Sequence, residues 1–274
     1  MWTRDACFAH AGTVKNKEMS ARAISILLGL VLLGAGGAAA QEPTDPMAAR
    51  LSADRVGGVA AGDYSAADEI NFTLLPYGDK YLLRFDDNPE NFVLYGDRVA
   101  LGGRELKYDT GALALKVSVW GGVTLYTQQA PGGVPATRNG DATAPPKIPV
   151  SAANLSAALA DEASHIAYVQ QLKLRFSADE SILKNNDDVR ANAFDALINS
   201  GVGIEHVVAT QAGRSAFVRR FDQVRIVEGD KPTIAISGRT LLVSFVPSAG
   251  AAGRASSRAI TVALRKMLSL SDAG

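Results

Sequence analysis

Between Asn71 and Thr127 apolar and polar residues alternate in short runs separated by glycine-containing pairs, the pattern of half-buried strands joined by tight turns. Leu113, Leu115, Val117 and Val119 place four apolar side chains on one face, with Ala112, Ala114, Lys116 and Ser118 on the other. An internal echo marks two turns. Leu75-Pro76-Tyr77-Gly78-Asp79-Lys80 is answered by Val93-Leu94-Tyr95-Gly96-Asp97-Arg98, and each Gly-Asp pair suits a two-residue turn with positive φ between antiparallel strands. Further turns are predicted at Gly102-Gly103, Asp109-Thr110-Gly111 and Gly121-Gly122. About seven strands in succession predict an antiparallel β meander, as a small barrel or a sandwich.

Past Ser151 the period lengthens. Leu155, Leu159, Ile166, Val169, Leu172 and Phe176 recur at helical spacing. A second helix is predicted over Asp187–Asn199, with Asp187 and Asp188 at its positive end and Gly201 as its stop. A shorter helix over Arg214–Phe221 precedes strands at Val224–Val227, Thr233–Ser237 and Thr240–Val246, and a last helix runs over Ser257–Leu268. The fold class is therefore α+β, an N-terminal antiparallel β meander followed by a helix-plus-antiparallel-sheet region. The expected organisation is an N-terminal extension and signal over 1–40, a flexible lead over 41–68 and a β module over 69–129. A Pro- and Gly-rich linker or long loop follows over 130–150, and an α+β region over 151–274.

The N-terminus changes where this fold is expected to work. Met19 to Arg22 form a short basic lead, Ala23–Leu33 is an apolar run, and Ala38-Ala39-Ala40 before Gln41 has the small-residue pattern of a signal-peptidase site. Cleavage is expected after Ala40, translation from Met19, and residence in the periplasm or outside the cell with no stable membrane span afterwards. An uncleaved anchor is the competing reading, but the second half of the segment is only Gly and Ala, weakly apolar and poorly helical. Cleavage would remove Cys7, the single cysteine, and His10, one of three histidines. Thiol catalysis and cysteine-based metal sites would go with them, and no disulfide framework would remain. The whole chain balances 28 basic against 28 acidic residues; the segment 1–40 holds four of the former and two of the latter, leaving a net charge of about minus two. Binding nucleic acid by bulk positive charge is therefore not expected.

The stretches Tyr81-Leu82-Leu83-Arg84-Phe85-Asp86, Leu106-Lys107-Tyr108-Asp109-Thr110-Gly111 and Val119-Trp120-Gly121-Gly122-Val123-Thr124-Leu125-Tyr126 carry a family resemblance. It extends to Pro131–Ala136 and Gly253–Arg258. The chain resembles an uncharacterised family of exported bacterial proteins with a domain of unknown function. The resemblance implies export and transfers no catalytic residue or ligand.

Candidate chemistry is sparse. A Ser-His-Asp triad would need His165 or His206 as base, and Gly213-Arg214-Ser215-Ala216-Phe217 lacks the closing glycine of a nucleophile elbow. The histidines lack metal-ligand spacing. Asp86-Asp87-Asn88-Pro89-Glu90 offers oxygen ligands but departs from the EF-hand loop, and a hairpin loop is the plainer reading. Paired carboxylates for glycoside hydrolysis could come from Asp86, Asp87, Glu90 and Asp109. Strand, glycine-bearing loop and helix start over Thr240–Arg258 form a shape that can hold an anion, with Arg254 and Arg258 close by. A capped helix is the simpler account. Tyr77, Tyr81, Tyr95, Tyr108, Trp120 and Tyr126 gather in the β half, either as strand formers or as a face on which sugars or peptides could stack. No catalytic residue, metal or cofactor is assigned. The binding residues expected are Tyr77, Tyr95, Tyr108, Trp120, Tyr126, Arg254 and Arg258, in a non-catalytic module that contacts an envelope ligand or protein. The alternatives are an exported hydrolase with paired acids and a structural envelope protein.

Overall fold

The structure, a computed structural model, describes residues 58–271 apart from 68, 143, 146 and 147. The Met19–Ala40 segment expected to act as a signal, Cys7 and the first part of the expected lead lie outside the described residues.

Eight strands alternate in burial and close on themselves: β1 Gly62–Ala66, β2 Ile70–Tyr77, β3 Lys80–Phe85, β4 Phe92–Arg98, β5 Arg104–Lys107, β6 Leu113–Val117, β7 Val123–Leu125 and β8 Val134–Gly140. Each pairs antiparallel with the next, and β8 returns to β1 with Ser65 opposite Thr137 and Ala66 opposite Ala136. A barrel of this strand number has an interior just wide enough for side chains to fill. Tyr64, Phe72, Leu74, Leu83, Leu94, Leu106, Leu115 and Leu125 fill it here, each fully or almost fully buried.

The closing strands come from segments read as a flexible lead and as a linker. β1 (GDYSA) turns only Tyr64 and Ala66 inward, and β8 (VPATRNG) only Val134 and Ala136. Two inward residues per strand give too weak a period to stand out, so pairing rather than composition defines them. Gly78-Asp79 is the predicted two-residue turn, with Gly78 at φ +61. Its echo Gly96-Asp97 is not a turn. It lies inside β4, where Gly96 faces Leu106 and Asp97 faces Glu105, and the chain reverses later at Val99–Gly103.

The second half comprises α1 Ala152–Val169, β9 Arg175–Ala178, α2 Glu180–Leu183, α3 Asp187–Val208, α4 Gln211–Arg220, β10 Gln223–Glu228, β11 Thr233–Ser237, β12 Thr240–Phe245 and α5 Ser257–Met267. Two 3-10 turns over Pro247–Gly253 link β12 to α5. Ser151, Asn186, Thr210 and Ser256 cap α1, α3, α4 and α5 through side-chain oxygens that accept backbone N–H groups. The sheet order is β11-β12-β10-β9. Only β11 and β12 are antiparallel; β10 is parallel to both β12 and β9. The class is α+β as expected, with a mixed sheet in place of an antiparallel one. β9 had been absorbed into a helical pattern through Leu172 and Phe176, whereas α1 ends at Val169. The helices between β9 and β10 form the crossover that parallel strands require.

α3 also runs past its predicted stop. Gly201 and Gly203 lie buried in mid-helix, where a side chain at 201 would meet Glu162 and one at 203 would meet Ile260 at 2.7 Å. These glycines are packing positions for α1 and α5, not terminators. Leu155, Ile166, Leu197, Ile204, Phe217, Val224, Ile226, Leu241, Val243 and Ile260 form the core between helices and sheet. Among the described residues no helix is long and apolar enough to cross a membrane. The barrel and the helix–sheet region belong to one compact unit.

Candidate functional site

The first turn of α5 carries unpaired N–H groups and the positive end of the helix dipole. Two barrel loops bring carboxylates to it, Glu90 from the β3–β4 connection and Asp109 from the β5–β6 turn. Ser256 donates its N–H to Asp109 Oδ2 at 2.9 Å and its Oγ–H to Asp109 Oδ1 at 2.7 Å. Ser257 repeats the arrangement, donating its N–H to Glu90 Oε1 at 2.9 Å and its Oγ–H to Glu90 Oε2. Ser256 Oγ also accepts the Ala259 N–H at 3.0 Å, as the helix cap. Each barrel carboxylate thus grips the backbone and side chain of one serine. Glu90 is 6% exposed. Burial pushes its carboxyl above the ordinary range; the Ser257 hydrogen bonds oppose this, Asp109 adds to it, and Arg254 opposes it. At this helix start the serine cap is present, and the carboxyl groups of Asp109 and Glu90 take up the N–H groups that a bound anion would need.

The two arginines have separate tasks. Arg258 lies over the Tyr108 ring, its guanidinium carbon 4.2 Å from the centroid. Tyr108 meets Phe92 edge-on at 5.5 Å, and contacts continue through Phe85 and Phe72 to Tyr64. This chain of rings runs around the barrel and ends beneath a residue of α5. Arg254, 8% exposed at its side chain, pairs with Asp195 of α3 and donates to Asn192 Oδ1 at 3.3 Å. Burial raises the Asp195 carboxyl, and Arg254 opposes that rise. Asn199 Nδ2 donates to the Ala255 carbonyl at 3.0 Å, tying the same segment to α3.

Beside this junction a cleft of about 490 Å³ opens between the barrel and the edge of the mixed sheet. Tyr95, Asp97, Lys107, Tyr108 and Asp109 form the barrel wall, and Pro232, Ile234, Arg254 and Ala259 the other. Lys107 Nζ lies 3.0 Å from Asp97 and 3.5 Å from Glu105. The Tyr108 hydroxyl is buried and has no hydrogen-bond partner among the described residues. Burial raises the pKa of both Tyr108 and Tyr95.

Of the expected binding residues, the structure brings Tyr95, Tyr108 and Arg254 to this cleft, with Arg258 against Tyr108 behind it. The others lie elsewhere. Tyr77 Oη accepts the Ala251 N–H at 3.0 Å and donates to the Ala249 carbonyl at 3.3 Å, bracing the turns before α5. Trp120 is 88% exposed at the tip of the β6–β7 hairpin. Tyr126 packs beside Gly133, whose φ of +81 and crowded position exclude a side chain. Tyr81 Oη accepts a 3.5 Å hydrogen bond from Arg104. Asp86 and Asp87 are exposed, while Glu90 of the same loop turns inward. His165 Nε2 lies 3.0 Å from Glu205 on the exposed surface of α1 and α3, and His206 is exposed near the end of α3. A second cleft, about 520 Å³, lies between α1 and β9 and is lined by none of the expected residues.

Pro232 of the cleft and Asp195 of the junction carry no mark in the sequence pattern. A serine pair at a helix start was visible as a cap. Its carboxylate partners, 147 and 167 positions away, leave no local signal.

Fold and site together define an eight-stranded up-and-down barrel joined by a carboxylate–serine junction to a helix-covered mixed sheet, with a cleft at the seam. The chain belongs to the family described as Domain of unknown function (DUF4908), which matches residues 46–264. No curated protein and no solved structure matches the chain.

Proposed function

We propose that the protein is an exported, non-catalytic binding module of the cell envelope, and that the cleft between barrel and mixed sheet is where it meets its ligand. The carrying observation is the state of the acids at that seam. Glu90 and Asp109 are each held by two hydrogen bonds from one serine, an arrangement suited to fixing two parts of a fold. A general acid or a nucleophile needs a carboxylate oxygen directed at substrate. Beside Asp109 lies a concave surface with two tyrosines, a proline and paired charges, a composition suited to recognition. The signal-like segment Met19–Ala40 supports export.

The test is a thermal-shift screen of the protein against neutral and acidic sugars, peptides, lipids and calcium, run alongside turnover assays on chromogenic glycosides and esters. A stabilising class of ligand without turnover supports the reading. Turnover that disappears in Asp109→Asn would instead establish the hydrolase alternative.

A further inference from the structure

We infer that the ligand of the cleft is a neutral saccharide, a reading that rests on the cleft being the binding site. Charge comes first. Two acidic and two basic side chains line the cleft, Asp97 and Asp109 against Lys107 and Arg254. Each already has a partner in the protein. Lys107 holds Asp97 at 3.0 Å, Arg254 pairs with Asp195, and Asp109 accepts two hydrogen bonds from Ser256. An ionic ligand would find the buried Arg254 already paired, and the exposed Lys107–Asp97 pair presents it with no net charge. A neutral molecule rich in hydroxyls meets no such conflict. Asp97, exposed beside Lys107, keeps lone pairs available to accept from hydroxyl groups, and the ammonium and guanidinium groups keep N–H donors.

The apolar part of the cleft points the same way. Tyr95 is 38% exposed on the barrel wall, and the opposite wall offers exposed Pro232 and partly exposed Ile234. A sugar ring has an apolar face of C–H groups and a polar rim. The Lys80 ammonium lies 5.7 Å from the Tyr95 ring centroid and leaves one ring face for a sugar, the aliphatic surface opposite suits its other face, and the charged pairs suit the rim. The Tyr108 hydroxyl behind this wall is buried with no partner among the described residues, and a bridging water would satisfy it. A volume of about 490 Å³ is in the range of small-molecule sites.

The experiment is isothermal titration calorimetry of the intact protein and of Tyr95→Ala and Trp120→Ala. The probes are maltotriose and N,N′-diacetylchitobiose as neutral sugars, a galacturonic acid trimer as their acidic counterpart, and trialanine. Tyr95 and Trp120 are both exposed, so their replacement leaves the folded core intact. The expected result is binding of a neutral sugar that weakens about tenfold in Tyr95→Ala and is unchanged in Trp120→Ala. Binding of the acidic trimer or the peptide alone, still sensitive to Tyr95→Ala, overturns the saccharide assignment and leaves the cleft as the site. Binding of any probe that survives Tyr95→Ala but is lost in Trp120→Ala overturns the cleft itself, whereas silence with all four probes overturns the saccharide assignment and leaves the cleft to the other ligand classes.

Discussion

At Glu90 two tendencies oppose each other. Burial disfavours its charge, while Ser257 and the α5 N-terminus favour it, and burial prevails. The folded carboxyl therefore holds its proton more tightly than the unfolded chain does. The stabilisation from this difference is fully present below the ordinary glutamate pKa of ~4.3 and is lost as pH rises through the raised folded value. Glu90→Gln stays neutral and keeps a carbonyl acceptor for the Ser257 N–H. The stability of the natural protein relative to Glu90→Gln should accordingly fall as pH rises across that window, as read by urea unfolding at a series of pH values. Parallel pH profiles would remove Glu90 as the titrating group. Glu90→Ala leaves the Ser257 donors buried and unpaired, and should cost about 1–3 kcal/mol at neutral pH in the same assay.

At the scale of elements, the close approach of α3 and α5 depends on Gly203. A β-carbon there would lie 2.7 Å and 2.9 Å from Ile260 side-chain atoms and 3.0 Å from the Ser257 carbonyl oxygen. Gly203→Ala should push α5 outward and destabilise the fold by about 1–3 kcal/mol, seen as a lower denaturation midpoint with an unchanged slope. An unchanged midpoint would mean that the contact yields freely. The same helix shows what sequence pattern can and cannot convey. Its start was legible, because Asp187 and Asp188 act within its first turn. Gly201 was read as a stop because its reason for being glycine, Glu162 of another helix, is not local. The meander was legible wherever strands carry strong alternation, as in Leu113–Val117. β1, β8 and β9 were not, since each presents few apolar residues and is specified by its pairing partner. Parallel pairing of β9 with β10 follows from the intervening helical crossover and from nothing within either strand.

Across the whole molecule, the junction joins two cores, one inside the barrel and one beneath the helices. Four hydrogen bonds from Ser256 and Ser257 and the Arg258–Tyr108 contact couple them. The double variant Glu90→Ala/Asp109→Ala should weaken that coupling more than either core. Calorimetry should then resolve two transitions where one is expected for the natural protein; a single transition merely shifted to lower temperature would show that other contacts suffice. The cleft was half legible: Tyr95, Tyr108 and Arg254 stood out as residue types, whereas Pro232, Lys107 and the serine pair acquire meaning only when the sheet edge meets the barrel. A ligand seated in this seam would shield the backbone around it, and hydrogen exchange with and without the ligand found by screening reads that shielding. Added protection is predicted at residues 95–97, 107–111, 231–234 and 254–259. Protection confined to the Trp120 hairpin or to the cleft between α1 and β9 would contradict that placement.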